Sequence, residues 1–181
     1  MVPNRIQVAL GEGVVANAPH IVLSSGLGSC VAVILYDAQR GIGGLAHIML
    51  PAQLRNAECG MWNEQSATCT EPGRSVRIPK STFQCADTAI AALLERLRSR
   101  GAVRRDIVAK MVGGARMFSC YENPDTGIGK QNVVSVKRIL RRERIALIGE
   151  DTGGHHGRSV EFHLDSGRVI VMAIGREERE I

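Results

Sequence analysis

Apolar residues gather at the front of the chain in short runs that are rich in β-branched side chains and bounded by Gly, Asp or Pro. This pattern predicts strands over residues 6–10, 21–23, 31–37 and 44–49. The link Asp37-Ala38-Gln39-Arg40-Gly41 carries turn residues at both ends and suits a hairpin between the third and fourth strands. The rhythm then stops. Over residues 51–80 polar side chains, Gly60, Pro72, Gly73 and Pro79 take over, which predicts a long surface loop of the kind used for lids and binding segments.

Periodicity returns as a helix. Ser81 followed by Gln84 fits a capping box, Phe83, Ala86, Ile90, Leu93, Leu94 and Leu97 share one helical face, and Gly101 ends the pattern. Residues 107–112 read as a buried strand running into Gly113-Gly114, where missing side chains permit a tight turn or close backbone approach. Asn132 is placed to cap a second helix whose Val133, Val136, Ile139 and Leu140 form an apolar stripe, and residues 145–148 read as the strand after it. Val160, Phe162 and Leu164 alternate with polar neighbours, Asp165-Ser166-Gly167 turns, and residues 169–174 return as the second arm of a hairpin. Residues 176–181 have the composition of a frayed charged tail. The expectation is one mixed α+β domain over residues 1–181, without repeats or low-complexity tracts.

Composition narrows the function classes. With 181 residues, 44% hydrophobic and 23% charged, the chain can bury a core without disulfide or metal staples, which excludes disorder, collagen and a small cystine scaffold. Neither an apolar run long enough to span a membrane nor a signal-peptide pattern is found, so a cytoplasmic, soluble protein without membrane insertion is expected. A net charge of +5 favours acidic partners, but six aromatic residues offer few stacking platforms for nucleic acid. Arg138, Arg141, Arg142 and Arg144 read as a solvated helix face rather than a docking patch. Five cysteines, at positions 30, 59, 69, 85 and 120, form no CxxC pair, so reduced thiols are expected and a zinc ribbon is not.

The stretch Ser24-Ser25-Gly26-Leu27-Gly28-Ser29-Cys30-Val31 carries the strongest chemical signal. Small residues there let backbone and ligand approach closely, and exposed N–H groups beside a cysteine can stabilise its thiolate and hold a tetrahedral adduct. The alternative is a cysteine serving as a small buried hydrophobe. His47 stands near the end of the strand that a hairpin would lay beside Cys30, where it can act as a base or sit as a backbone-satisfied core histidine. Ser24 or Ser25 can supply the third group that orients it. His155, His156 and His163 raise a metal reading, but adjacent histidines point in different directions and the Gly153-Gly154 context favours a loop. Gly127-Ile128-Gly129-Lys130 does not match a phosphate loop.

Taken in order, Leu27-Gly28-Ser29-Cys30-Val31-Ala32-Val33, residues 44–51 around His47, Ala86-Asp87-Thr88-Ala89, residues 110–118 around Gly113-Gly114, residues 128–133, residues 150–154 and Gly157-Arg158-Ser159-Val160 resemble the chemoreceptor glutamine deamidase CheD family over nearly the whole chain. The resemblance implies a three-layer α/β sandwich with mixed β-sheets, similar to the catalytic domain of deamidating cytotoxic necrotizing toxins. It implies a triad with Cys30 as nucleophile, His47 as base and Ser24 in the hydroxyl position where threonine is familiar, with Ser25 as a nearby rival. The backbone N–H groups of Ser29 and Cys30 are the oxyanion candidates. No cofactor and no metal are implied. The implied partners are the cytoplasmic helical domain of chemoreceptors and a CheC-type phosphatase. The alternative is an interaction protein that binds receptor or phosphatase with little catalysis of its own. The loop at residues 51–80, with Cys59, Trp62 and Cys69, is longer than the connection the resemblance implies and bears on substrate access.

Overall fold

The computed structural model describes residues 4–52, 76–78, 80–117 and 127–181. Its strands are β1 (Arg5–Val8), β2 (Gly13–Asn17), β3 (Ile21–Leu27), β4 (Val31–Asp37), β5 (Ile42–Ile48), β6 (Val76–Ile78), β7 (Ile107–Gly113), β8 (Ala146–Thr152), β9 (Arg158–His163), β10 (Val169–Met172) and β11 (Arg179–Glu180), with helices α1 (Ala86–Ser99) and α2 (Ile128–Arg142). They form a five-stranded sheet ordered β1-β3-β9-β10-β11 and a six-stranded sheet ordered β6-β2-β5-β4-β7-β8. Both sheets are mixed, because β1 runs parallel to β3 and β7 parallel to β8 while the remaining pairs are antiparallel. An α+β architecture is what the strand and helix patterns predict.

The layers follow from β4. Every residue of this strand is buried, which is why it reads as a continuous apolar run rather than an alternating one. Side chains alternate across a strand, so Val31, Val33 and Leu35 enter a core shared with α1 and α2, while Ala32, Ile34 and Tyr36 enter a second core shared with β1, β3, β9 and β10. Helices therefore cover one face of the six-stranded sheet and the five-stranded sheet covers the other. Tyr36 meets Phe162 across that second interface edge to face, with ring centroids 5.5 Å apart. The hairpin expected between residues 31–37 and 44–49 forms, and its register pairs Ala32 with His47.

Four local expectations need correction. The strand β2 falls in a short Gly-Val-Val-Ala stretch outside the predicted strands, yet it pairs between β5 and β6 and sends Val15 into one core and Val14 and Ala16 into the other. The loop expected over residues 51–80 contains β6, with residues 53–75 outside the described ones. Helix α1 begins after a 3-10 turn at Lys80–Phe83 with Cys85 at its N-cap position, so the Ser81–Gln84 box lies ahead of the helix start. The C-terminal residues are not frayed: β11 pairs with β10, Arg168 bonds Glu180, and Lys110 Nζ donates to the Ile181 carbonyl at 2.6 Å. Arg138, Arg141, Arg142 and Arg144 are all exposed, as expected of a solvated face.

Candidate active site

The inter-sheet layer brings two of the sequence candidates together. Ser24 follows Val22 by two residues on β3, and Val22 belongs to the inter-sheet core, so alternation turns Ser24 to the same interior. His47 sits opposite Ala32, also in that core, and enters the layer from the other sheet. Both side chains are 1% exposed, and Ser24 Oγ lies 2.9 Å from His47 Nδ1. The Ser24 hydroxyl donates its single proton to the Val8 carbonyl at 3.0 Å. Ser24 Oγ is then left to accept from His47, which assigns the Nδ1–H tautomer and leaves the Nε2 lone pair open. Nε2 is buried and has no hydrogen-bond partner among the described residues. Burial lowers the imidazole pKa from 6.5 to about 4, so the ring is neutral at neutral pH. Ser25 is exposed; of the two serines, the one brought to His47 is Ser24.

Cys30 stands one residue before β4, and its carbonyl accepts from Gly114 N–H at 2.8 Å, which carries the β4–β7 register one residue further. Two residues before Ala32, it has the parity of the face that His47 occupies. Its thiol is partly exposed, and burial pushes its pKa up. Thiol and imidazole thus rest as neutral groups, not joined by a hydrogen bond, a contact that in catalytic pairs commonly tightens when substrate binds. Among the described residues no acceptor takes the N–H of Ser29 or of Cys30, so both amides are open donors beside the sulfur.

The surrounding loop is held by backbone from distant segments. Gly113, at φ 116°, passes so close that a Cβ there would stand 2.2 Å from the Cys30 carbonyl oxygen. Ala115 N–H donates to the Gly28 carbonyl at 2.8 Å, and Arg116 N–H to the Gly154 carbonyl at 2.9 Å. Arg158, buried, fixes the Gly153–His156 turn by donating from Nε to Asp151 and from Nη1 to the carbonyls of Gly153 and His156. A cleft of about 380 Å³ runs along Gly114, Lys130, Val133, Gly154 and His155. Motifs scattered over the sequence therefore converge at one end of the six-stranded sheet.

One residue at this site departs from the sequence expectation. Asn132 does not cap α2, which begins four residues earlier after Gly127; it lies inside the helix, fully buried. Its Nδ2 donates to the carbonyls of Ser29 and Met49, each at 2.9 Å, tying the loop before Cys30 to the segment after His47. The signal was present in its spacing, since Asn132, Val136 and Ile139 fall on one helical face and the polar member of a buried stripe needs a partner.

Of the remaining candidates His155 lines the cleft, and His163 and Cys85 do not. His155 Nδ1 is 3.2 Å from the Arg116 carbonyl, and His163 Nε2 lies 3.7 Å from Glu161. Among the described residues no group of three His, Cys, Asp or Glu is placed to hold a metal ion. Cys85 is buried, and Cys59, Trp62, Cys69 and Cys120 lie outside the described residues. No described helix is long and apolar enough to cross a membrane.

Comparison with known proteins agrees with the arrangement of motifs. Residues 73–173 match the family described as CheD chemotactic sensory transduction. The chain is 37% identical over 177 residues to the chemoreceptor glutamine deamidase CheD of Halalkalibacterium halodurans, covering 97% of this chain and 98% of that protein. It is 35% identical over 172 residues to the chemoreceptor glutamine deamidase CheD of Thermotoga maritima, covering 95% and 94%. It is 34% identical over 171 residues to a probable chemoreceptor glutamine deamidase CheD of Caldanaerobacter subterraneus, covering 94% and 93%. With matches of this identity running from end to end, the chain belongs to the CheD family.

Proposed function

We propose that this protein is a cytoplasmic protein-glutamine deamidase that converts chemoreceptor glutamines to glutamates with Cys30 as nucleophile, His47 as base and Ser24 as the group that orients the base. The observation that carries this reading is the 2.9 Å contact between Ser24 and His47, which leaves an open Nε2 on the sheet face shared with Cys30. The names of the relatives supply the substrate class. A likeness to the catalytic domain of deamidating cytotoxic necrotizing toxins belongs to the same reading.

In the first half-reaction Nε2 takes the thiol proton as Sγ bonds to the side-chain carboxamide carbon, and the amide oxygen becomes an oxyanion facing the open N–H groups of Ser29 and Cys30. The protonated His47 passes its proton to the amide nitrogen, the C–N bond breaks, and ammonia leaves a γ-glutamyl thioester. In the second half-reaction His47 deprotonates a water whose oxygen attacks the thioester carbon. The C–S bond then breaks, glutamate forms and the thiol is restored. The net change is glutamine plus water to glutamate plus ammonia. A methyl ester at the same position would pass through the same thioester.

The test is mass spectrometry of a chemoreceptor cytoplasmic fragment from the same organism, incubated with wild type and with Cys30→Ala. Conversion of defined glutamines by wild type alone is the expected result. Absence of conversion by folded wild type would overturn the reading in favour of an interaction protein, and pull-down of a CheC-type phosphatase would then be the next measurement.

A further inference from the structure

We infer that Asn132 is a positioning residue whose side-chain amide sets the direction of the Cys30 N–H toward the reacting carbonyl. The inference rests on the deamidase reading above. Asn132 Nδ2 donates to the Ser29 carbonyl at 2.9 Å, and that carbonyl belongs to the same peptide unit as the Cys30 N–H. A trans peptide is rigid and planar, with C=O and N–H pointing in opposite directions. Fixing the carbonyl toward α2 therefore aims the N–H away from the helix layer. A donor on the carbonyl also polarises the peptide, which makes its N–H a stronger hydrogen-bond donor.

The second bond gives the first a fixed reference. The other amide hydrogen goes to the Met49 carbonyl at 2.9 Å, and this stretch of backbone is itself anchored, because Met49 and Leu50 N–H both donate to the Gln84 carbonyl at 3.1 and 2.8 Å. Both partners of Nδ2 are acceptors, so the orientation of the amide is unambiguous. The stretch it holds runs from Gly26, at φ 74° near the end of β3, through Gly28, and these glycines give it little stiffness of its own. Asn132 Oδ1 is buried and has no partner among the described residues. An apolar side chain would suit the Val136 and Ile139 stripe better, so helix packing does not explain the residue, whereas control of the Ser29–Cys30 peptide does.

Two reactions of the same sulfur separate this role from a merely structural one. Deamidation passes through an oxyanion; alkylation by iodoacetamide displaces iodide at a saturated carbon and forms none. For Asn132→Ala we expect kcat for receptor-fragment deamidation to fall about 100-fold with KM changed less than about threefold, while Cys30 alkylation and its pH profile stay within about threefold of wild type. Parallel loss of both reactions, or deamidation within about threefold of wild type, would overturn the inference. Circular dichroism checks the fold, and Asn132→Leu, close in size and suited to the Val136 and Ile139 stripe but unable to donate to either carbonyl, carries the test if the alanine variant does not fold. Wild type that converts no glutamine would sink the deamidase reading and this inference with it. Active wild type, inactive Cys30→Ala and fully active Asn132→Ala would sink the inference alone.

Discussion

The neutral, buried His47 makes a prediction about pH that can be worked through in numbers. Burial holds its pKa at about 4, against 6.5 for an ordinary imidazole. Between these values the unfolded chain binds a proton that the folded chain does not, so stability rises with pH across this window. The contribution is fully present above the unfolded value and is lost progressively as pH falls from 6.5 toward 4. At 1.36 kcal/mol per pH unit the total is about 3 kcal/mol, of which about 2 kcal/mol is gone by pH 5. Urea unfolding at pH 7.5 and pH 5 measures it, with His47→Gln as the reference in which the group is absent. The two proteins differ only at residue 47, so every other contribution cancels in the difference. Wild type should lose about 2 kcal/mol more than the variant between the two pH values. Equal losses would refute the argument that His47 is held neutral by its surroundings.

Four further outcomes follow from the same geometry. Ser24→Ala removes the acceptor that selects the Nδ1–H tautomer and should lower deamidation kcat about 10- to 100-fold, whereas Ser24→Thr and Ser25→Ala should stay within about threefold of wild type in the mass-spectrometric rate assay. Because burial raises the Cys30 thiol pKa, its alkylation rate should still be climbing at pH 9, and a plateau below pH 8 would contradict the neutral resting pair. Gly113→Ala drives a methyl into the Cys30 carbonyl at a φ that L residues rarely adopt; thermal unfolding should show a loss of about 2 kcal/mol or more, together with slower deamidation. Asp37 is fully buried, and although burial alone would raise its pKa, hydrogen bonds from Val103 N–H and Arg40 hold it below the ordinary carboxylate range. Its stabilisation is therefore present above the unfolded pKa of about 3.9 and lost as pH falls through the lower folded value, and Asp37→Ala should cost about 2 kcal/mol in neutral urea unfolding.

What could be read from the sequence depended on whether a residue's partner lay within reach of local spacing. β4 was legible to the residue because an apolar run bounded by Cys30 and a turn admits no other register, and the short turn that follows forced β5 and His47 alongside it. Ser24 and Ser25 were indistinguishable as hydroxyls, and counting from Val22, had β3 been read beyond Leu23, would have separated them. β2 was missed because four small or β-branched residues next to Gly13 give too short a pattern to separate from a turn. Asn132 was misread because a polar residue ahead of an amphipathic stripe has the local look of a cap, while its partners Ser29 and Met49 lie 103 and 83 residues away. The C-terminal strand was hidden for a different reason: Arg179 and Glu180 are exposed, and what holds them is backbone pairing with β10 and the bond from Arg168 to Glu180, neither of which shows in side-chain periodicity.

The hydrogen bond between Ser24 and His47 joins two sheets that share no strand. Each sheet can complete its own ladder without creating that bond; only face-to-face docking does. The histidine's tautomer is thus a reporter of quaternary-like assembly inside one chain, and any opening of the sandwich, however brief, releases the imidazole to either tautomer before a single strand pair is broken. In the deamidase reading proposed above, the base that serves a sulfur on the rim of one sheet is therefore set by how tightly the other sheet is seated.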